Sequence, residues 1–139
     1  MAQHVRDIMT AEPVTVEPQT AVTRVAQMMR DQNIGAVLVT EGDELRGLVS
    51  DRDLVVRALA EGVDPEETTV ARACSADLVT ITPDEDIDQA VHLMREHHVR
   101  RIPVVEGGHP VGIISLGDLA IERDPGSALG DISAARPNA

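Results

Sequence analysis

The sequence predicts an α/β fold of the α+β type, built from two β-α-β-β-α repeats packed with pseudo-twofold symmetry. Three observations carry that expectation. The heptapeptide Gly47–Asp53, "GLVSDRD", returns as Gly112–Asp118, "GIISLGD", with the frame Gly-apolar-apolar-Ser-x-x-Asp kept. The same offset, run without a gap, lays Val5–Ala58 on Val70–Arg123: Pro18 falls on Pro83, Met29-Arg30 on Met94-Arg95, and Glu41-Gly42 on Glu106-Gly107. Within each half, the apolar period switches from that of a strand to that of a helix and back. A register held this long marks an internal duplication, which must be read before any single motif.

Each half is justified element by element. "VTVEP" and "VTITP" are short extended runs stopped by Pro18 and Pro83. A helix follows, with the stripe Val22, Val25, Ala26, Met29 in the first half and Ile87, Ala90, Val91, Met94 in the second. Both stripes obey i, i+3, i+4, i+7. Thr20 and Glu85 lie near the helix starts. A strand is expected at Ala36–Thr40 and at Ile102–Val105, then a turn, "EGDE" or "EGGH". Glycine gives these turns their left-handed dihedrals. A second strand runs over Leu45–Val49 or Val111–Ile114, and a short helix over Asp51–Ala60 or Leu116–Arg123. The division is therefore 1–60 for the first repeat, 61–69 ("EGVDPEETT") for a polar linker, and 70–123 for the second repeat. Residues 124–139, rich in Gly, Pro, Ser and Ala, are expected to be a poorly ordered tail. One half alone is marginal, because a chain of about 60 residues buries too small a share of its surface. Two halves sharing a core are not.

Composition narrows the function. The chain has 139 residues and no Phe, Trp or Tyr. Any flat ring it holds is gripped by aliphatic side chains and backbone. The stacking platform of single-strand nucleic-acid binders is missing, and a net charge of −12 opposes a polyanionic partner. No nucleic-acid partner is expected. Cys74 is the only cysteine, so no intrachain disulfide forms. No apolar run approaches the length of a membrane span, and "MAQHVRDIMT" lacks the apolar core of a signal peptide. The expectation is a cytoplasmic protein without a membrane partner. There is no nucleophile–His–acid set, no Walker loop and no HExxH, so no enzyme is expected.

The repeated heptapeptide admits two readings. As local structure, Ser50 and Ser115 are helix N-caps with Asp53 and Asp118 at the third helical position, a variant of the capping box. As a site, the same geometry offers free amides and a hydroxyl to a phosphate, and an acid able to accept from a ribose diol. Gly47 and Gly112 then permit close approach of backbone or ligand.

At this point the residues carry a family likeness. With the "V-x-D-I-M-T" start at Val5–Thr10, the run "HHVRRIPVV" at His97–Val105 and the paired signatures, the chain up to its tail resembles a tandem pair of CBS domains, the Bateman module. It is similar in particular to small stand-alone CBS-pair proteins of actinobacteria. The resemblance implies a regulatory module that binds an adenine nucleotide of the AMP, ADP or ATP class in clefts between repeats and senses energy or stress state. One cleft would combine Ser50 and Asp53 with Thr80, Ile81, Val99, Arg100 and Pro103. The other would combine Ser115 and Asp118 with Thr15, Val16, Ile34, Gly35 and Ala36. Arg100 and Arg101 would reach phosphate. The implied ligand is regulatory, with no cofactor and no metal, and a homodimer is implied.

The clefts are unequal, since Gly35-Ala36 stand where Arg100-Arg101 stand, Leu38 where Pro103 stands, and Asp51-Arg52 where Leu116-Gly117 stand. Gly117 is expected to leave open space beside Asp118. His92, His97 and His98 lack the i, i+4 spacing of a helical metal pair. They read instead as cations near a helix C-terminus. Cys74, which opens the second repeat where Met9 opens the first, reads as a small packed hydrophobe. The competing readings are an interaction protein with empty clefts and a dimer linked through Cys74.

Overall fold

The structure is a computed structural model and describes residues 3–75, 78–123 and 126–135. Its elements follow the expected order in both halves. A strand β2 (Thr15–Val16) precedes helix α2 (Val22–Gln32), hairpin strands β3 (Ala36–Glu41) and β4 (Glu44–Ser50), and a short helix α3 (Asp51–Leu54). In the second half, an isolated parallel bridge from Ile81 to Val104 takes the place of β2. Helix α5 (Ile87–His97), strands β5 (Arg101–Glu106) and β6 (His109–Ser115), and helix α6 (Leu116–Arg123) follow. The 3.6-residue stripes are the buried faces: Val22, Val25 and Met29 on α2, and Ile87, Ala90 and Met94 on α5. Both helices end in a left-handed residue, Asn33 or His98, at matching positions of the repeat. Both hairpins shift register at one place, between Val39 and Thr40 and between Val104 and Val105.

Four features differ from the expectation. First, each repeat opens with a single helical turn, α1 (Val5–Ile8) and α4 (Val70–Ala73). Four residues are too few to display a helical period, so the pattern had nothing to report. Second, the helix expected over Asp51–Ala60 widens after Leu54 into a π-helical turn, Val55–Leu59, closed by a 2.8 Å bond from the Ala60 amide to the Val55 carbonyl. Third, the segment expected to be a loose tail contains helix α7 (Ala128–Ala134), whose cap Ser127 accepts from the Gly130 amide at 2.9 Å. It packs along α6. Asp124, Pro125 and residues 136–139 lie outside the described residues.

Fourth, the compact units do not follow chain order. One is Val14–Leu78; the other joins the segment before Val14 to the chain from Val79 onward. In the latter, the Val5 amide donates to the Glu85 carbonyl (2.9 Å), the Arg6 amide donates to Pro83 (3.0 Å), and strand β1 (Thr10–Ala11) pairs antiparallel with β6. In the former, Val70 donates to Thr20 (2.7 Å), Ala71 donates to Pro18 (3.1 Å), and Ser75 and Leu48 exchange two bonds of 2.9 and 3.1 Å. These are the same bonds shifted by one repeat. Each repeat therefore gives its leading segment to the unit built on the other repeat's hairpin.

Each unit has its own core. Around β3 and β4, Val25, Val37, Val39 and Val49 are fully buried, and α4 adds Val70 and Ala73. Around β5 and β6, Ile87, Ile102, Val104 and Ile114 are fully buried, and α1 adds Val5. Aliphatic side chains fill both, as a chain without aromatics requires.

Candidate functional site

Strand β4 ends by handing Ser50 to α3. Ser50 is still extended and pairs with Ala36, the first residue of β3. The Asp51 amide donates to the Gly35 carbonyl at 3.0 Å, which ties the helix start to the strand edge. The Asp53 amide donates to Ser50 Oγ at 3.1 Å, and the Ser50 amide donates to Asp53 Oδ2 at 2.8 Å. The second unit repeats the arrangement. Ser115 pairs with Arg101, and the Leu116 amide donates to the Arg100 carbonyl at 2.8 Å. The Asp118 amide donates to Ser115 Oγ at 3.1 Å, and the Ser115 amide donates to Asp118 Oδ2 at 2.9 Å. Both signatures are thus complete capping boxes, and such caps contribute about 1 kcal/mol each.

The cap does not exhaust the acid. Each box uses one carboxylate oxygen, Oδ2, and leaves Oδ1 outside it. Asp53 Oδ1 lies 3.7 Å from Arg57 Nε. All four signature side chains are half-buried. That geometry suits an acceptor that is fixed by its cap and still open on one side.

The glycines of the heptapeptide have a structural task. A Cβ built on Gly47 would stand 2.7 Å from Cys74 Sγ and 3.0 Å from the Ser75 carbonyl. One built on Gly112 would stand 2.6 Å from Met9 Sδ and 2.9 Å from the Thr10 carbonyl. Of the two kinds of close approach that the sequence left open, backbone or ligand, the structure shows the exchanged leading segment at both glycines, a side-chain sulfur first and a backbone carbonyl next to it. Cys74 is packed as expected of a small hydrophobe. Its Sγ donates to the Ala71 carbonyl at 3.5 Å, and burial pushes its thiol pKa up.

The remaining candidates sit on the strand edges. Thr15 and Val16 form β2, parallel to Leu38 and Val39, while Ile34 and Gly35 link α2 to β3. Thr80 precedes the Ile81 bridge, whose amide donates to the Pro103 carbonyl at 3.1 Å. Val99 and Arg100 link α5 to β5, which carries Arg101 and Pro103. Val16, Ile81 and Pro103 are buried, whereas Thr15, Thr80 and Arg100 are exposed. Within each unit, the structure brings a signature to the strand edge of its own repeat. The crosswise combinations expected from the sequence draw their residues from different units.

Gly117 does not leave open space. A Cβ there would meet Ser133 Oγ of α7 at 2.8 Å and Ser133 Cβ at 3.1 Å. Sequence reasoning missed Ser133 altogether. The usable signal was Ser127, a good N-cap residue, ahead of Leu129 and Ile132 at helical spacing. The histidines do not converge: His92 Nε2 lies 3.0 Å from a Glu96 carboxylate oxygen, and His98 is the left-handed cap of α5. Among the described residues, no three His, Cys, Asp or Glu side chains are grouped to hold a metal ion. Nor is any helix among them long and apolar enough to cross a membrane.

Comparison with known proteins decides the family. The CBS-domain model matches residues 5–59 and 65–123. The chain belongs to the CBS-domain family. It is 38% identical over 133 residues to the CBS domain-containing protein YhcV of Bacillus subtilis, across 93% of this chain and 94% of that protein. It is 35% identical over 116 residues to Hypoxic response protein 1 of Mycobacterium tuberculosis, across 83% and 81% of the two chains. A crystal structure of Hypoxic Response Protein I with two coordinated zinc ions matches with a TM-score of 0.77 at 35% identity, covering 84% of this chain and 96% of that one. The CBS-domain protein ATU1752 of Agrobacterium tumefaciens matches with a TM-score of 0.79 at 31% identity, covering 88% and 95%. This CBS pair has the general architecture of a regulatory CBS-domain module.

Proposed function

We propose that this CBS pair binds adenine nucleotides at its two signatures and reports their level to a partner. The observation that carries the reading is the divided use of Asp53 and Asp118. One oxygen closes the helix cap, and the other, which at Asp53 also faces Arg57 at 3.7 Å, lies outside the cap and is offered to a ribose diol. Ser50 and Ser115 stand at the starts of α3 and α6, where the hydroxyl and the positive end of the helix favour a phosphate. The strand-edge residues Thr15, Val16, Ile34, Gly35 and Ala36, and their counterparts Thr80, Ile81, Val99 and Pro103, supply the aliphatic and backbone grip on adenine. Arg100 and Arg101 favour a charged phosphate at their end of the molecule. The protein acts as a homodimer in this reading. Support comes from the exposed Val55, Val56 and Leu59 of the π-helical turn, an apolar face unusual for a monomer.

The test is a thermal-shift and calorimetric panel of AMP, ADP and ATP on wild type, Asp53→Asn and Asp118→Asn. A ligand at 100 times its dissociation constant stabilises by about 2.7 kcal/mol. Asn has a single carbonyl oxygen, so cap and ribose compete for it. Loss of a charge-assisted bond of about 1.5–3 kcal/mol predicts roughly tenfold or greater weakening. The competing reading, an interaction protein with empty clefts, is favoured by the completeness of both caps. It predicts no shift with any nucleotide.

A further inference from the structure

We propose that helix α7 is a built-in competitor for the first turn of α6, so that the Ser115–Asp118 signature is gated by the chain itself while the Ser50–Asp53 signature is not. The inference rests on the nucleotide reading above and adds regulation to one of its two sites.

The gate is visible as a break in the repeat. Helix α7 has no counterpart after the π-helical turn of the first half, where the chain continues into the polar linker. It comes close to α6 at Gly117, between the serine and the aspartate of the signature. Ser133 Oγ and Cβ fill the space that a side chain at Gly117 would take, and Ser115 Oγ lies 3.7 Å from the same point. The equivalent residue in the first half is Arg52, which is exposed. Gly117 shows no left-handed backbone, so the seating of α7 accounts for the glycine and chain conformation does not. A phosphate drawn to the start of α6 and to Ser115 Oγ arrives at the turn beside which Ser133 already sits.

The seat is close but weakly anchored. Of α7, only Gly130 is buried; Leu129 is 45% exposed and Ile132 is 72% exposed. A seven-residue helix has little stability of its own. Segments with few buried apolar contacts open locally at low cost. Such a helix holds its place by fit, and a ligand that needs the same turn displaces it.

The experiment uses full-length protein carrying Asp53→Asn, so that ATP binding reports the Ser115–Asp118 signature. Gly117→Ala places a methyl where Ser133 sits and should tighten ATP. Adding Ser133→Gly to that variant removes the clash and should return affinity toward the parent. A chain ending at Arg123 should bind about tenfold more tightly if α7 is seated about 90% of the time, since apparent affinity scales with the competent fraction. Saturating ATP should speed hydrogen exchange at the amides of residues 128–134. Equal affinity in all four proteins overturns the gate and leaves the nucleotide reading intact. Weaker binding by Gly117→Ala and by the shortened chain, with slower exchange of α7 on ATP addition, also overturns it, making α7 part of the site. If wild type and all variants ignore ATP, AMP and ADP, the nucleotide reading fails and the gate falls with it.

Discussion

Gly47→Ala is the sharpest probe of how the two repeats interlock. The added methyl would meet Cys74 Sγ at 2.7 Å and the Ser75 carbonyl at 3.0 Å, and the second contact is backbone held by the Ser75–Leu48 bonds. Overpacking of this kind costs about 1–3 kcal/mol. Alanine recovers part of that, about 0.4–1 kcal/mol, by restricting the unfolded chain. The two contributions together span a net loss of about 0–2.6 kcal/mol, and the rigid backbone contact places the expected value at about 1.3 kcal/mol or above. For a chain near 150 residues each kcal/mol moves the melting temperature by about 2–4 °C. Urea unfolding should show a lower midpoint at unchanged slope, the mark of a stability change. Cys74→Ala removes the sulfur at 2.7 Å, so Gly47→Ala with Cys74→Ala should be more stable than the sum of the singles by about 0.5 kcal/mol or more. Gly47→Ala as stable as wild type, or strict additivity of the pair, would refute the claim that this glycine makes room for the exchanged segment.

Further outcomes can be measured on the same protein. Gly112→Ala should also destabilise, with Met9→Ala relieving it only in part, because the Thr10 carbonyl at 2.9 Å stays in the way; full rescue in thermal melts would show that backbone is not the obstacle. Cys74 should alkylate more slowly than an unfolded thiol at pH 8, since burial raises its pKa, and urea should abolish the difference; equal rates in both states would contradict the packing. Asp7 accepts from the His4 and Gln3 amides, and these bonds hold its carboxyl below the ordinary range. A depressed carboxyl stabilises above its unfolded pKa of about 3.9, and the contribution is lost as pH falls through the lower folded value. NMR should therefore find Asp7 titrating below a peptide aspartate, with α1 loosening only in that acidic window; titration at or above the peptide value would remove the bond. Light scattering at micromolar concentration should give twice the 14.9 kDa chain mass, and a monomer would count against the apolar face as a contact.

The parts of the fold that were legible in the sequence are those written in local periodicity. Val22-Val25-Met29 and Ile87-Ala90-Met94 identify their helices because burial recurs every 3.6 residues. The hairpins follow from apolar runs on either side of Gly42 and Gly107. The signatures were legible because they occur twice, which one copy of Ser-x-x-Asp cannot offer. What escaped is long-range or too short. The bonds from Val5 to Glu85 and from Val70 to Thr20 join residues whose partnership leaves no mark in either neighbourhood. Gly47 and Gly112 signalled close approach, and only the fold says that Cys74 and Met9 are what approaches. Helix α7 hid behind a composition of small residues, which suits both a loose tail and a helix seated tightly against another.

The exchanged leading segments impose an order on synthesis. Residues Val14–Leu78 are a whole unit as soon as Leu78 has left the ribosome, and nothing made later is needed for its core. Val5, made earlier, is buried in the other core and must wait for Glu85, Ile87 and Ile114. At about 5–20 residues per second, the stretch from Leu78 to Ile114 occupies roughly 2–7 s. For that interval the nascent protein carries a finished unit with α1 and β1 unpaired ahead of it. A gene cut between the sequence repeats would make the wait permanent, since each fragment would hold one hairpin and the leading segment that belongs to the other.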